Sequence, residues 1–160
     1  MNQMLTSLDG TPASRLAFGT MQFGGRADAA ASRAMFDACI EAGITHFDTA
    51  HVYTDGASET LLGQFVQDRR DSLIVATKAA YTGGAGRANI LASAETSRQR
   101  MQLDTLDVLY LHRFDPDTPL TESFAALAEL KDLGHIRQVG LSNFAAWQVA
   151  KAAHIAADFG

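Results

Sequence analysis

Leu73-Ile74-Val75-Ala76-Thr77-Lys78 opens as a continuous apolar run and ends on a lysine. A half-buried strand alternates apolar and polar residues; an unbroken apolar run this short reads as a strand buried on both faces of a parallel sheet. The same design recurs at Ile44-Thr45-His46-Phe47, followed by Asp48, and at Leu106 to Leu111, followed by His112. Each run carries its polar residue at the carboxyl end, so these residues fall on one rim of the sheet. The runs return every roughly 30 residues, the period of a βαβ unit.

Working outward from these runs, strand-like and helix-like segments alternate with little between them. Asp9-Gly10 predicts a hairpin turn between Met4 to Ser7 and Ala13 to Leu16. Arg15 to Phe18 reads as the first strand of the sheet, ending at Gly19. Helices are expected over Ala29 to Ala42, with Met35, Phe36, Cys39 and Ile40 as the apolar stripe, and over Ser58 to Gln67, with Ser58 as cap and Leu61, Leu62 and Phe65 inward. Further helices are expected over Arg87 to Gln102, Leu120 to Leu133 and Ala145 to Ala157. Ile136 to Leu141 is the last strand, and Phe124, Leu127 and Leu130 face inward on the helix that Gly134 stops. Strands alternating with helices imply a parallel sheet covered by helices. An open doubly wound sheet and a (β/α)8 barrel both satisfy the pattern, and both place functional residues at the carboxyl ends of the strands.

Composition narrows the function classes. The 160 residues are 47% hydrophobic with a net charge of -5, an ordinary globular make-up. Mild acidity argues against nucleic acid or an anionic membrane as partner. No apolar run approaches the roughly 18 residues needed to span a bilayer. Met1-Asn2-Gln3-Met4-Leu5 lacks the basic and apolar regions of a signal peptide. Cys39 is the one cysteine, which excludes an internal disulfide and makes a reducing cytoplasmic compartment the expectation. No cluster with metal-ligand spacing is present. Gly83-Gly84-Ala85-Gly86 lacks the spacings of a phosphate-cradling loop and reads as a flexible connection. Phe144 and Trp147 read as packing of the last helix.

The rim residues carry the chemistry. Asp48, Tyr53, Lys78 and His112 supply a carboxylate, a phenol, an ammonium and an imidazole. A phenol ordinarily titrates at about 10, too weak an acid for efficient proton transfer near neutrality. An ammonium beside it favours the phenolate, and a carboxylate can hold that ammonium in place. The imidazole can donate to a substrate oxygen. Such a set polarises and protonates a carbonyl as a hydride arrives at carbon. Taken singly, Asp48 and His112 read as caps or structural groups and Tyr53 as a packing residue; the set makes the case.

These segments also carry a resemblance. Gly19-Thr20-Met21-Gln22-Phe23-Gly24, Phe47-Asp48-Thr49-Ala50, Tyr53 with Gly56-Ala57-Ser58-Glu59, Thr77-Lys78, Asp107-Val108-Leu109-Tyr110-Leu111-His112 and Gly140-Leu141-Ser142-Asn143-Phe144 stand in the order found in aldo-keto reductases. The chain resembles that family over essentially its whole length, and His112-Arg113-Phe114-Asp115-Pro116 is similar to its bacterial, potassium-channel-β-like branch. The resemblance implies a (β/α)8 TIM barrel with a hairpin closing its bottom, and NADPH-dependent interconversion of aldehydes or ketones with alcohols. Carried over by position, Tyr53 is the general acid, Lys78 and Asp48 tune it, and His112 orients the carbonyl. Ser142 and Asn143 hold the nicotinamide carboxamide, Thr20 and Met21 form the loop beside the nicotinamide ribose, and Phe23 and His51 line the substrate mouth.

A (β/α)8 barrel typically takes about 250 residues. The expectation is therefore a single, incomplete domain over residues 1–160, the N-terminal portion of such a barrel, about five of its eight βα units. The family's phosphate contacts lie on the loops after its seventh and eighth strands. The first and fifth strands are expected as open edges, prone to pair with a second copy or a complementary C-terminal half. A catalytically inactive remnant or interaction module is the alternative to an enzyme. An open-sheet nucleotide-binding protein is a third reading, disfavoured by the absence of a glycine fingerprint after the first strand.

Overall fold

The computed structural model describes residues 5–159. Five parallel strands form one sheet: β1 Ala17–Gly19, β2 His46–Asp48, β3 Ile74–Ala79, β4 Leu106–Leu111 and β5 Ile136–Leu141. Each is followed by a helix: α1 Ala29–Glu41, α2 Ala57–Val66, α3 Arg87–Met101, α4 Leu120–Asp132 and α5 Ala146–Ala156. The strands lie side by side in chain order, with every pair parallel. A doubly wound sheet reverses its strand order at a switch point. This one does not, so the architecture is the partial (β/α)8 barrel. Among the described residues no helix is long and apolar enough to cross a membrane.

Alternation along β3 sorts its side chains. Val75 and Ala79 join the large core under the helices, while Ile74 and Ala76 join Val108 in a small cluster on the opposite, inner face. Leu5, Ala13 and Tyr110 pack on that inner cluster. Leu5 and Ala13 come from the expected hairpin. It is reduced to one antiparallel bridge, Thr6 with Pro12, around a turn in which Gly10 takes φ 88°. The strand expected from Met4 begins outside the described residues, and Gly160 also lies outside them.

The outer core is rich in rings. Phe36 stacks on Phe47 at 4.7 Å, Phe23 meets Phe65 at 6.1 Å, and Phe18 reaches Phe23 at 6.0 Å. On α1, Phe36 and Cys39 are buried as expected, whereas Met35 turns outward. On α4, Phe124, Leu127 and Leu130 all face inward. α2 and α3 touch backbone to backbone: a Cβ on Gly63 would lie 2.4 Å from Met101 Cα. Ser58 does not cap α2. Gly56, in the left-handed region, precedes the helix, and Ser58 is buried inside its first turn. Trp147 is 63% exposed and meets Phe114 edge-on, so it does not pack into the core. The glycine-rich loop after β3 is pinned rather than slack. Asn89 Nδ2 donates to the carbonyls of Thr82 and Gly84, Asp115 accepts from Ala85 N–H, and Ser123 donates to Ala85 O.

At the amino ends of the strands one carboxylate organises the sheet. Asp107 on β4 is fully buried. Its Oδ2 pairs with Arg70 at 2.8 Å and accepts from Val75 N–H; its Oδ1 pairs with Arg137 at 2.7 Å. Arg137 also donates to Thr6 O, tying the hairpin to β5. Arg137 is thus committed to this network. Removing one partner of a buried pair leaves the remaining charges uncompensated. Asp107→Ala is expected to lose about 3–5 kcal/mol of stability in urea denaturation. Asp37→Ala, which breaks only the exposed Arg33–Asp37 pair, should lose less than about 1 kcal/mol. Equal effects would show that Asp107 does not hold the sheet together.

Candidate active site

Backbone hydrogen bonds carry the sheet register beyond the strand ends. Thr20 N–H donates to Asp48 O, Thr49 N–H to Ala76 O, His51 N–H to Lys78 O, His112 N–H to Ala79 O and Ser142 N–H to Leu111 O. The carboxyl ends are thereby held level, and the residues there converge. Asp48 and Lys78 occupy inward positions, in step with Ala76 on the inner face. Lys78 lies within β3 rather than beyond it and is 6% exposed. Its Nζ donates to Asp48 Oδ2 at 2.6 Å and to Thr49 O at 2.8 Å. The same Nζ stands 5.0 Å from the Tyr53 ring centroid. The Tyr53 and His112 rings are 5.8 Å apart and nearly perpendicular.

Asp48, Tyr53, Lys78 and His112 are therefore brought together in one group. Asp48 Oδ1 and His112 Nδ1 are buried there without hydrogen-bond partners. Burial holds His112 below the ordinary histidine range; Lys78 and Arg113 push the same way and Asp48 opposes them. The imidazole is thus neutral at neutral pH, with one nitrogen able to donate.

The other expected residues divide. Ser142 continues the β4–β5 ladder, and Asn143, at φ 57°, donates from Nδ2 to His112 O at 2.8 Å. Neither caps α5, which begins at Ala146 after Ala145. Met21 is 53% exposed beside the rim strands. Thr20 is buried, and its hydroxyl is engaged by Asp48 O and Ser58. It supports the strand end and offers no side-chain group to a ligand. Phe23 does not line a mouth: it is 1% exposed within the ring cluster under α1 and α2. His51 is half-buried, its carbonyl accepting from Arg100 at 2.8 Å.

Two aromatic neighbours were not singled out in the sequence. Tyr110, opposite Lys78 in the β3–β4 register, places its ring 5.8 Å from Nζ. Its parity with His112 carried that signal. Burial pushes its phenol up, and Asp48 adds to the rise, so it is a poorer acid than an ordinary tyrosine. Tyr81 packs on His112 at 4.8 Å, and Arg113 Cζ lies 4.9 Å from the Tyr81 ring centroid. No periodicity announces Tyr81, because it lies past the strand.

The turn bearing Tyr53 is strained. Thr54 and Asp55 both take the left-handed conformation, at φ 48° and 54°. Each costs about 1–2 kcal/mol for a residue with a Cβ. Thr54 Oγ1 offsets part of this by donating to Phe23 O and accepting from Ser58 N–H.

Burial also holds His46 and His51 below the ordinary range. These two and His112 bind a proton more weakly folded than unfolded. Their contribution to stability is intact above the unfolded value of about 6.5 and is lost as pH falls below it. Asp9 and Asp115, held low by hydrogen bonds, lose theirs only below about pH 4. The urea midpoint should therefore drop between about pH 7.5 and 5.5, and less so in His46→Gln. A flat profile over that window would contradict the assignment.

A family model described as the Aldo/keto reductase family matches residues 15–159. Aflatoxin B1 aldehyde reductase member 2 of Rattus norvegicus is 38% identical over 138 residues, covering 83% of this chain and 38% of that protein. A probable voltage-gated potassium channel subunit beta of Oryza sativa subsp. japonica is 33% identical over 157 residues, covering 92% of the chain and 48% of the relative. Aldo-keto reductase YhdN of Bacillus subtilis (strain 168) is 36% identical over 153 residues, covering 88% and 46%. The chain spans less than half the length of each of these relatives.

Proposed function

The chain belongs to the aldo-keto reductase family, and from that premise we propose that it takes part in the NADPH-dependent reduction of aldehydes or ketones to alcohols, with Tyr53 as proton donor. The observation that carries the reading is the placement of the Lys78 ammonium between the Asp48 carboxylate and the Tyr53 ring. Lys78 balances the charge left on the phenol oxygen once its proton has moved to the carbonyl oxygen. Asp48 and Thr49 O hold the ammonium where that balance is needed. The neutral His112 imidazole donates to the same carbonyl oxygen and orients it towards Tyr53. Tyr110 also neighbours Lys78, but burial makes its phenol a poorer acid than an ordinary tyrosine. In the reverse direction Tyr53 takes the proton back from the alcohol.

The residues at the rim fit the nicotinamide end of the cofactor. Asp48 Oδ1 has an unmet acceptor in the site, and Ser142 and Asn143 offer donor and acceptor groups beside His112. The bound cofactor supplies the hydride. Further βα units, continuous with this chain or brought by a complementary half, would pair with β1 and β5 and carry the phosphate contacts. The substrate class is a small carbonyl compound. A reducing cytosol suits the buried Cys39 thiol.

A second reading follows from the open sheet. Among the described residues β1 and β5 each have one neighbouring strand, and an unpaired strand edge is a template for pairing. A chain that serves as an interaction module would self-associate through these edges and turn nothing over.

The test is NADPH oxidation with 4-nitrobenzaldehyde, run beside sedimentation analysis. Tyr53→Phe is expected to lower turnover at least about a hundredfold, the scale of a lost general acid, with the circular dichroism spectrum unchanged. Lys78→Met should fall similarly. Unchanged turnover in Tyr53→Phe would sink the mechanism. An inert parent chain sedimenting as a defined dimer would favour the second reading.

A further inference from the structure

We infer that Glu59 and Arg100 form a clamp that positions Tyr53 by locking the turn that carries it; the inference rests on the reading of Tyr53 as proton donor. Glu59 sits in the first turn of α2 and is fully buried. A buried carboxylate requires partners on both oxygens. Oε1 accepts from Thr77 Oγ1 at 2.6 Å, and Oε2 pairs with Arg100 Nη1 at 3.0 Å. Thr77 immediately precedes Lys78. The carboxylate thus links α2, β3 and α3 directly behind the ammonium.

Arg100 reaches from α3 to both ends of the Tyr53 turn. At one end its Nη1 donates to His51 O at 2.8 Å, while His51 N–H donates to Lys78 O. At the other end its guanidinium lies flat against Gly56, where a Cβ would stand 2.5 Å from Cζ. Gly56 takes φ 92°, which completes three consecutive left-handed residues with Thr54 and Asp55. Tyr53 lies between these two points of contact. A backbone held in sparsely populated conformations persists only where its surroundings over-determine it. Here the surroundings are the Thr54 hydroxyl, which binds two backbone groups, and Arg100 at both flanks. Glu59 in turn orients the guanidinium so that one Nη1 serves both the carboxylate and the His51 carbonyl. Neither side chain hydrogen-bonds or ion-pairs with Asp48, Tyr53, Lys78 or His112. They act through the turn, as positioning residues.

Amide hydrogen exchange followed by mass spectrometry tests the clamp on the intact chain, beside kinetics with NADPH. In Glu59→Gln and in Arg100→Ala, exchange over residues 50–56 should rise about tenfold or more, while β4 and α4 exchange as in the parent. The kcat should fall about tenfold at unchanged KM, because the phenol is misplaced rather than removed. Arg100→Lys, which keeps the charge, should recover part of both. If Glu59→Gln fails to fold, Thr77→Val, which removes one bond to the carboxylate, should give the same local pattern with smaller amplitude. Exchange that rises equally across the sheet, or stays unchanged over residues 50–56, overturns the clamp. If turnover persists in Tyr53→Phe, the donor assignment fails, and the exchange pattern still decides whether the clamp locks the turn.

Discussion

Lys78 sets the register on which the site depends. Burying an ammonium is unfavourable unless it is paired and hydrogen-bonded. Lys78 meets that condition only where β2 and β3 are aligned as they are, with Asp48 beside Ala76 and the Thr49 carbonyl just past it. A slip of one residue would turn every side chain of β3 to the other face. The ammonium would then enter the apolar layer beneath α2 and α3, and Val75 would lose that layer. Strand pairing and the assembly of this polar group are thus one requirement. Phe47 enforces it from the other side, since its ring must stay in the cluster with Phe36 and Phe18.

Asp107 plays the corresponding part at the opposite rim. It joins the starts of β3, β4 and β5 through Val75 N–H, Arg70 and Arg137, and through Arg137 it reaches the hairpin. The sheet is therefore apolar through its middle and ionic at both ends, and the two ionic groups do different work. The Asp107 group is saturated with partners. The Lys78 group leaves Asp48 Oδ1 and His112 Nδ1 unpaired. His46 Nε2, within electrostatic reach of Asp107, is buried without a partner as well, so the carboxyl-end group is set apart by the four chemical types it gathers rather than by an orphaned atom alone.

The succession of strands and helices, and the four rim residues, were legible because parallel strands announce themselves as apolar runs and their ends as the first polar residue. Strand order was not legible. Alternating strands and helices fit two architectures, and only hydrogen bonding between strands in chain order separates them. Phe23 shows where the reading failed. It follows β1 closely enough to be taken for a rim residue, yet the turn that reverses after Thr20 sends its ring back under α1 and α2. Ser58 failed for a related reason. A serine before an apolar helix reads as a cap, but the left-handed Gly56 starts the helix earlier and draws the hydroxyl inward to Thr20 and Thr49. Arg100 was invisible because a charge on a helix reads as a solvated face. Its role depends on Gly63 drawing α3 close to α2, a backbone contact that no periodicity reports.

Two phenols flank one ammonium, and the fold distinguishes them by where each is mounted. Tyr110 rises from the inner face one residue before the end of β4, level with Lys78, where burial and the neighbouring Asp48 charge both oppose ionisation. Its ring is also closely packed: a Cβ on Gly140 of the next strand would lie 2.3 Å from it. Tyr110 is half-buried like Tyr53, but a ring held against the neighbouring strand is fixed by the sheet itself and supports Lys78 from the inner face. Tyr53 is mounted on a turn outside the sheet, half-buried, with its ring set against His112 rather than beneath a strand. The Thr54 hydroxyl and Arg100 hold that strained turn in place. A proton donor must be fixed relative to its neighbours and still reach the substrate. For the donor role proposed for Tyr53, a residue packed within the sheet meets the first demand and fails the second, whereas a turn contacted at both ends by Arg100 meets both.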